Sequence, residues 1–122
     1  MNQKQKLLSH SAPLRQILIA SGLFFLVPDE HFAILIFLVK HGTKPELFWV
    51  SMLKKSMKAC LNAIHADEIR WHMADRTLTV TGTKDSVLLE FARVESGLPS
   101  EFILLTDACL ENFRDALRTL SE

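Results

Sequence analysis

Residues 28–42, PDEHFAILIFLVKHG, decide the fold of this chain, because they can be read in two ways. Pro28 followed by Asp29 and Glu30 looks like the opening turn of a helix: the fixed φ of proline suits that turn, and carboxylates complement the positive end of the helix dipole. At the other end Lys40 and His41 suit the negative pole, and Gly42 stands where a left-handed residue closes a helix. Between these signals Phe32 to Val39 is apolar on every side, which predicts a central helix enclosed by neighbouring elements or by a partner subunit. A buried strand is the competing reading, since eight consecutive apolar residues do not fix a period.

Upstream, Ser11-Ala-Pro13 offers an N-cap followed by proline, so a first helix is expected from there to about Ser21 or just past Gly22. The run Ile17 to Val27 lies behind Lys4, Lys6 and Arg15 in the manner of a secretory signal. Its small residues Ala20, Ser21 and Gly22 lie inside the run, however, and Pro28-Asp29-Glu30 follows without a small-x-small cleavage site. Leu14 to Val39 taken as a membrane span is interrupted by Pro28, Asp29, Glu30 and His31, leaving pieces shorter than the roughly 20 residues required. A buried helical pair fits better, so no membrane association is expected.

Downstream, Thr43-Lys-Pro45-Glu46 reads as a capping box with proline inside it, opening a long helix to Ile64 or His65. At 100° per residue, Leu47, Val50, Leu53, Met57, Leu61 and Ile64 form one stripe, opposed by Ser51, Lys55, Lys58 and Asn62. Phe48, Trp49 and Met52 lie outside the apolar stripe; aromatic and methionine side chains in that position are candidate anchors of a protein interface.

From Glu68 the period becomes two. Ile69, Trp71 and Met73 alternate with Arg70 and His72, and after Ala74-Asp75-Arg76, Leu78 and Val80 alternate with threonines, which predicts a hairpin. Gly82-Thr-Lys-Asp85 turns into a third strand over Val87 to Val94, the loop 95–100 leads to a fourth at Phe102 to Leu105, and Asp107 is expected to cap a closing helix. The expected class is therefore α+β: a helical N-terminal half of about three helices on an antiparallel meander of about four strands, closed by a C-terminal helix. Residues 1–10 are expected to form a flexible tail and residues 11–122 a single domain, with no internal repeat.

Lysine plus arginine and aspartate plus glutamate both total 14, so the whole chain has no electrostatic pull on nucleic acid and any such binding needs a local patch. Cys60 and Cys109 lie among apolar residues with no Cys-x-x-Cys pair, which suits buried reduced thiols in a cytoplasmic protein. Phosphate loops, nucleophile elbows, dinucleotide fingerprints and zinc motifs are absent, so no cofactor, metal or catalytic residue is assigned. His65, Asp67, Glu68, His72 and Asp75 are the one local concentration of acids and imidazoles, with His65, Asp67 and His72 the candidates for a small acid/base or metal site.

Two loose resemblances bear on function. Leu26-Val-Pro28-Asp-Glu30, the apolar run to His41-Gly42 and Lys44-Pro-Glu46-Leu47 look like the first helices of bacterial winged-helix regulators, with residues 68–81 as the wing; this implies DNA contact through Ser51, Lys55, Lys58 and Asn62, with Arg76 on the hairpin turn. The later strands, Phe102-Ile-Leu-Leu-Thr106 and the terminal helix bearing Phe113 and Leu117 are similar to the single-stranded-DNA-binding domain of the PC4 coactivator family, which dimerises through its helices. The first expectation for function is a small non-catalytic binding or regulatory module, homodimeric and acting through protein–protein contacts. A DNA-binding regulator and a small enzyme with a His/Asp site at the helix–sheet junction are the alternatives.

Overall fold

The computed structural model describes residues 14–41, 44–63, 68–94, 97 and 99–122. The expected helical first half is not what it shows: eight strands dominate the described residues, and each of the three segments read as helices in that half contains β-structure. Strands β1 (Arg15–Ala20), β2 (Leu23–Val27), β3 (Phe32–His41) and β4 (Lys44–Leu53) form one antiparallel four-stranded sheet in sequence order. A single 3-10 turn at Lys54–Ser56 and a short helix, α1 (Met57–Ala63), follow. Strands β5 (Glu68–His72), β6 (Arg76–Gly82), β7 (Val87–Arg93) and β8 (Glu101–Leu105) form a second antiparallel sheet, again in sequence order, and α2 (Asp107–Ser121) closes the chain. The element order is thus a four-stranded meander plus helix, twice over, a repeat that the sequence does not announce.

The helix signals of the first half have other uses in the fold. Asp29 does not sit in a helical turn; its carboxylate accepts the backbone N–H groups of His31 at 2.7 Å and Phe32 at 2.9 Å, so Pro28-Asp29 makes an Asx-type turn into β3. Gly22 has φ +76° in the β1–β2 connection, and its carbonyl accepts the Leu38 N–H at 2.9 Å, tying that turn to β3. A strand thus takes the place of the expected helix on either side of Gly22. Pro45 lies inside β4 opposite Lys40; β4 is an edge strand, where a residue without an N–H can be accommodated. Ile34, Ile36, Val39, Phe32 and Phe37 favour the pleated conformation through their β-branched and aromatic side chains.

The second half follows the sequence closely, with the four strands and closing helix falling near their expected bounds. One detail differs. Thr106, not Asp107, is the N-cap residue, it makes no side-chain capping bond, and Asp107 has φ +51°. The expected tail at residues 1–10 lies outside the described residues.

The inner faces of the two sheets and the two helices share one core. Leu35 on β3 pairs with Phe25 on one side and Val50 on the other, and all three are fully buried. Phe91 of β7 stacks on Phe37 with 5.5 Å between ring centroids and meets Phe48 edge-on at 5.0 Å, joining sheet to sheet. Phe25 stacks on Phe113 of α2 at 6.1 Å, and Leu110, Ala116, Leu117 and Leu120 complete the buried side of that helix. Among the described residues no helix is long and apolar enough to cross a membrane.

Candidate functional site

Because side chains alternate along a strand, pairing register fixes which residues share a face. In the first sheet, Leu18, Phe24, Ile36 and Trp49 form one continuous cross-strand row pointing away from the core. Gln16, Leu26, Ile34 and Ser51 form the next row, with the pairs Leu38–Leu47 and Phe32–Leu53 beyond the rows at either end. Of these twelve positions ten are apolar and none is charged; the next pair on the same register, Lys40–Pro45, brings a lysine to the end of the face. Leu18 is 61% exposed, Leu47 54% and Trp49 39%, so the face is open to solvent in the isolated chain.

The outer face of the second sheet provides an internal comparison. Its rows read Arg70, Thr79, Glu90, Phe102 and Glu68, Thr81, Leu88, Leu104, with His72, Thr77 and Ala92 beyond them. Charged and hydroxyl side chains predominate there, and Arg70 pairs with Glu68 at 2.8 Å. That is the usual composition of a solvated antiparallel face, whereas the first sheet is apolar on both sides.

Side chains from the second sheet pin the β4 edge. Arg76 donates from Nη1 to the Trp49 carbonyl at 3.2 Å, and its guanidinium lies 4.8 Å from the Trp49 ring centroid and 5.5 Å from that of Phe48. Asp75 accepts from the same guanidinium at 3.0 and 2.9 Å, and this hydrogen-bonded cation holds the Asp75 carboxyl below its ordinary 3.8. The Ser51 N–H donates to Met73 Sδ at 3.4 Å, while Arg93 pairs with Glu46 and packs 5.6 Å from the Phe48 ring centroid. At the far edge, Asn112 of α2 donates to the Ile19 carbonyl of β1 at 3.1 Å. Both edges of the first sheet therefore make contacts, and its outer face is left open.

The three residues singled out as interface anchors separate by strand parity. Phe48 and Met52 point into the core and are buried; Trp49 points outward as part of the apolar face. Ser51, Lys55, Lys58 and Asn62 do not form one helical stripe. Ser51 is on the outer face of β4, Lys55 is in the 3-10 turn, and only Lys58 and Asn62 share a helix, exposed on α1. The winged-helix arrangement fails with them, because the segment expected to carry its recognition helix divides into strand β4, a 3-10 turn and the short helix α1. Arg76 spends its charge on Asp75 and the β4 edge.

The acid and imidazole cluster also disperses. His65 and Asp67 lie outside the described residues, Glu68 and His72 are at opposite ends of β5, and Asp75 is held by Arg76. Among the described residues no group of three potential ligands converges. Cys60 is buried, and that burial pushes its thiol up to about 12, far from a reactive thiolate; Cys109 is half-buried. Beside the apolar face, Glu30, His31, Phe32, Leu53, Lys54 and Lys55 line an open cleft of about 350 Å³.

The apolar face itself was not found by sequence reasoning, although its signal was present. A strand apolar at eight successive positions must direct four side chains to each face, and the strand reading of Phe32 to Val39 would have shown it. No protein-family model matches the chain, and no curated protein or solved structure is detectably similar to it.

Proposed function

We propose that the protein is a non-catalytic binding module that acts through protein–protein contact, with the outer face of the β1–β4 sheet as its contact surface. The observation that carries this reading is the block of twelve adjoining uncharged positions, ten of them apolar, around the Leu18–Phe24–Ile36–Trp49 row, with the one lysine of that register, Lys40, at its end. Contiguous apolar patches of more than a few hundred Å² are unusual on monomeric proteins and mark interaction sites. With strands about 4.8 Å apart and rising about 3.3 Å per residue, this sheet has a plan area of about 500 Å² before side-chain relief is counted.

The test is a double charge substitution, Leu18→Lys with Leu47→Glu. Both side chains are more than half exposed, so the variant should keep the parent's far-UV circular dichroism and still unfold cooperatively in urea. Every association that the wild-type protein makes through this face should disappear. Unfolding of the variant would show that the face is interior, and unchanged association would place the contact elsewhere.

A further inference from the structure

We infer that the partner covering this face is a second copy of the chain, packed sheet on sheet across a two-fold axis; this rests on the contact surface proposed above. The area is the first reason. A plan of about 500 Å², increased by the relief of leucine, phenylalanine and tryptophan side chains, approaches the roughly 800 Å² per partner of a standard interface.

Composition is the second reason. Interfaces that exist only transiently are about as polar as the surface around them, whereas obligate homodimer contacts resemble a domain core cut in half. Sheets covered on both faces have strands that read as unbroken apolar runs, and Phe32 to Val39 is such a run, with Ala33, Leu35 and Val39 already buried on the inner side. In the dimer the β1–β4 sheets become the two central layers, each flanked on its far side by the core shared with the second sheet and the helices.

The remaining reasons concern fit. The twelve adjoining positions carry no charge and the one lysine on their register, Lys40 opposite Pro45, falls at the end of the sheet, so the centre of the face meets an identical face without a charge clash, as an isologous two-fold contact requires. The chain's own remaining N-terminal stretch is a poor substitute, since residues 1–13 supply only Met1, Leu7 and Leu8 as large apolar side chains.

Sedimentation or light scattering of the full chain from micromolar to millimolar concentration tests the inference. The expected mass is twice the chain's 13.9 kDa. Leu18→Lys with Leu47→Glu should raise the dissociation constant at least about 100-fold while the fold persists. A wild-type monomer throughout that range, binding an apolar dye that the double variant does not bind, would overturn the second copy but keep the face as a docking surface. A monomer that instead cosediments with phosphatidylcholine vesicles would overturn it in favour of a lipid surface. A dimer unaffected by both substitutions would overturn the inference and the proposed contact surface together.

Discussion

Replacing Phe91 by alanine should be the most damaging single truncation at the junction between the sheets. The ring is fully buried and contacts Phe37 at 5.5 Å and Phe48 at 5.0 Å between centroids, so it joins the inner faces of the two sheets. Removing it forfeits the transfer energy of the ring and leaves a cavity that two sheets with fixed ladders cannot close, at a cost of about 3–5 kcal/mol. A domain of this length holds roughly 6–18 kcal/mol in all, so the variant should fold with much of its margin gone. With a urea slope of about 2 kcal/mol per molar, the unfolding midpoint, read from tryptophan fluorescence at one fixed protein concentration, should fall by about 2 M. Phe91→Leu, which keeps most of the volume, should cost only about 1–1.5 kcal/mol. Phe102→Ala, at a ring 57% exposed on the outer face of the same sheet, should stay within about 0.5 kcal/mol. A Phe91→Ala loss no larger than that of Phe102→Ala would refute the packing of the two sheets through this ring.

Arg76→Lys keeps a positive charge but loses the planar fork that spans Asp75 and the Trp49 carbonyl, so it should destabilise by about 1–2 kcal/mol and shift the Trp49 emission; an unchanged spectrum would show that the guanidinium does not rest on that ring. Cys60 should resist thiol reagents until the chain unfolds, with Cys109 labelled first. Because the folded Cys60 thiol is raised from 9.0 to about 12, the unfolded chain releases its proton first, and stability should fall as pH rises through that window in the parent but not in Cys60→Ala. Asp29 and Asp75 behave in the opposite sense. Backbone N–H donors lower the first and Arg76 the second below 3.8, so the stability they contribute is present above the unfolded value and lost as pH falls through the lowered folded one. Carboxyl NMR titrations should give both midpoints below 3.8, and a midpoint at or above that value would remove the corresponding contact.

The two halves of the chain differ in how much of the fold their sequence discloses. From Glu68 onward one face of each strand is polar, so Arg70, His72 and the threonines of β6 mark a period of two and the hairpins can be read directly. In the first half both faces are apolar, and that information is missing. Leu47, Val50 and Leu53 fit a helical stripe as well as they fit strand β4, where parity buries Phe48, Val50 and Met52 and exposes Leu47, Trp49 and Leu53. The punctuation was ambiguous for the same chemical reasons. A proline and an aspartate can open a helix or turn a chain into a strand, and only the Asp29 carboxylate on the His31 and Phe32 amides distinguishes the two here. The sequence groups Phe48, Trp49 and Met52 together, and only the pleat separates the exposed Trp49 from the buried Phe48 and Met52. The property that obscured the fold, an apolar outer face, is also the candidate site.

Fluorescence quenching of Trp49 by acrylamide, followed through dilution in a Trp71→Phe background, tests the central claim most directly, because it reports on the face itself. Trp49 is 39% exposed in the single chain, so it should be readily quenched at low concentration and become protected in step with the rise in mass as concentration increases. Quenching that stays constant across a dilution in which the mass halves would contradict the account.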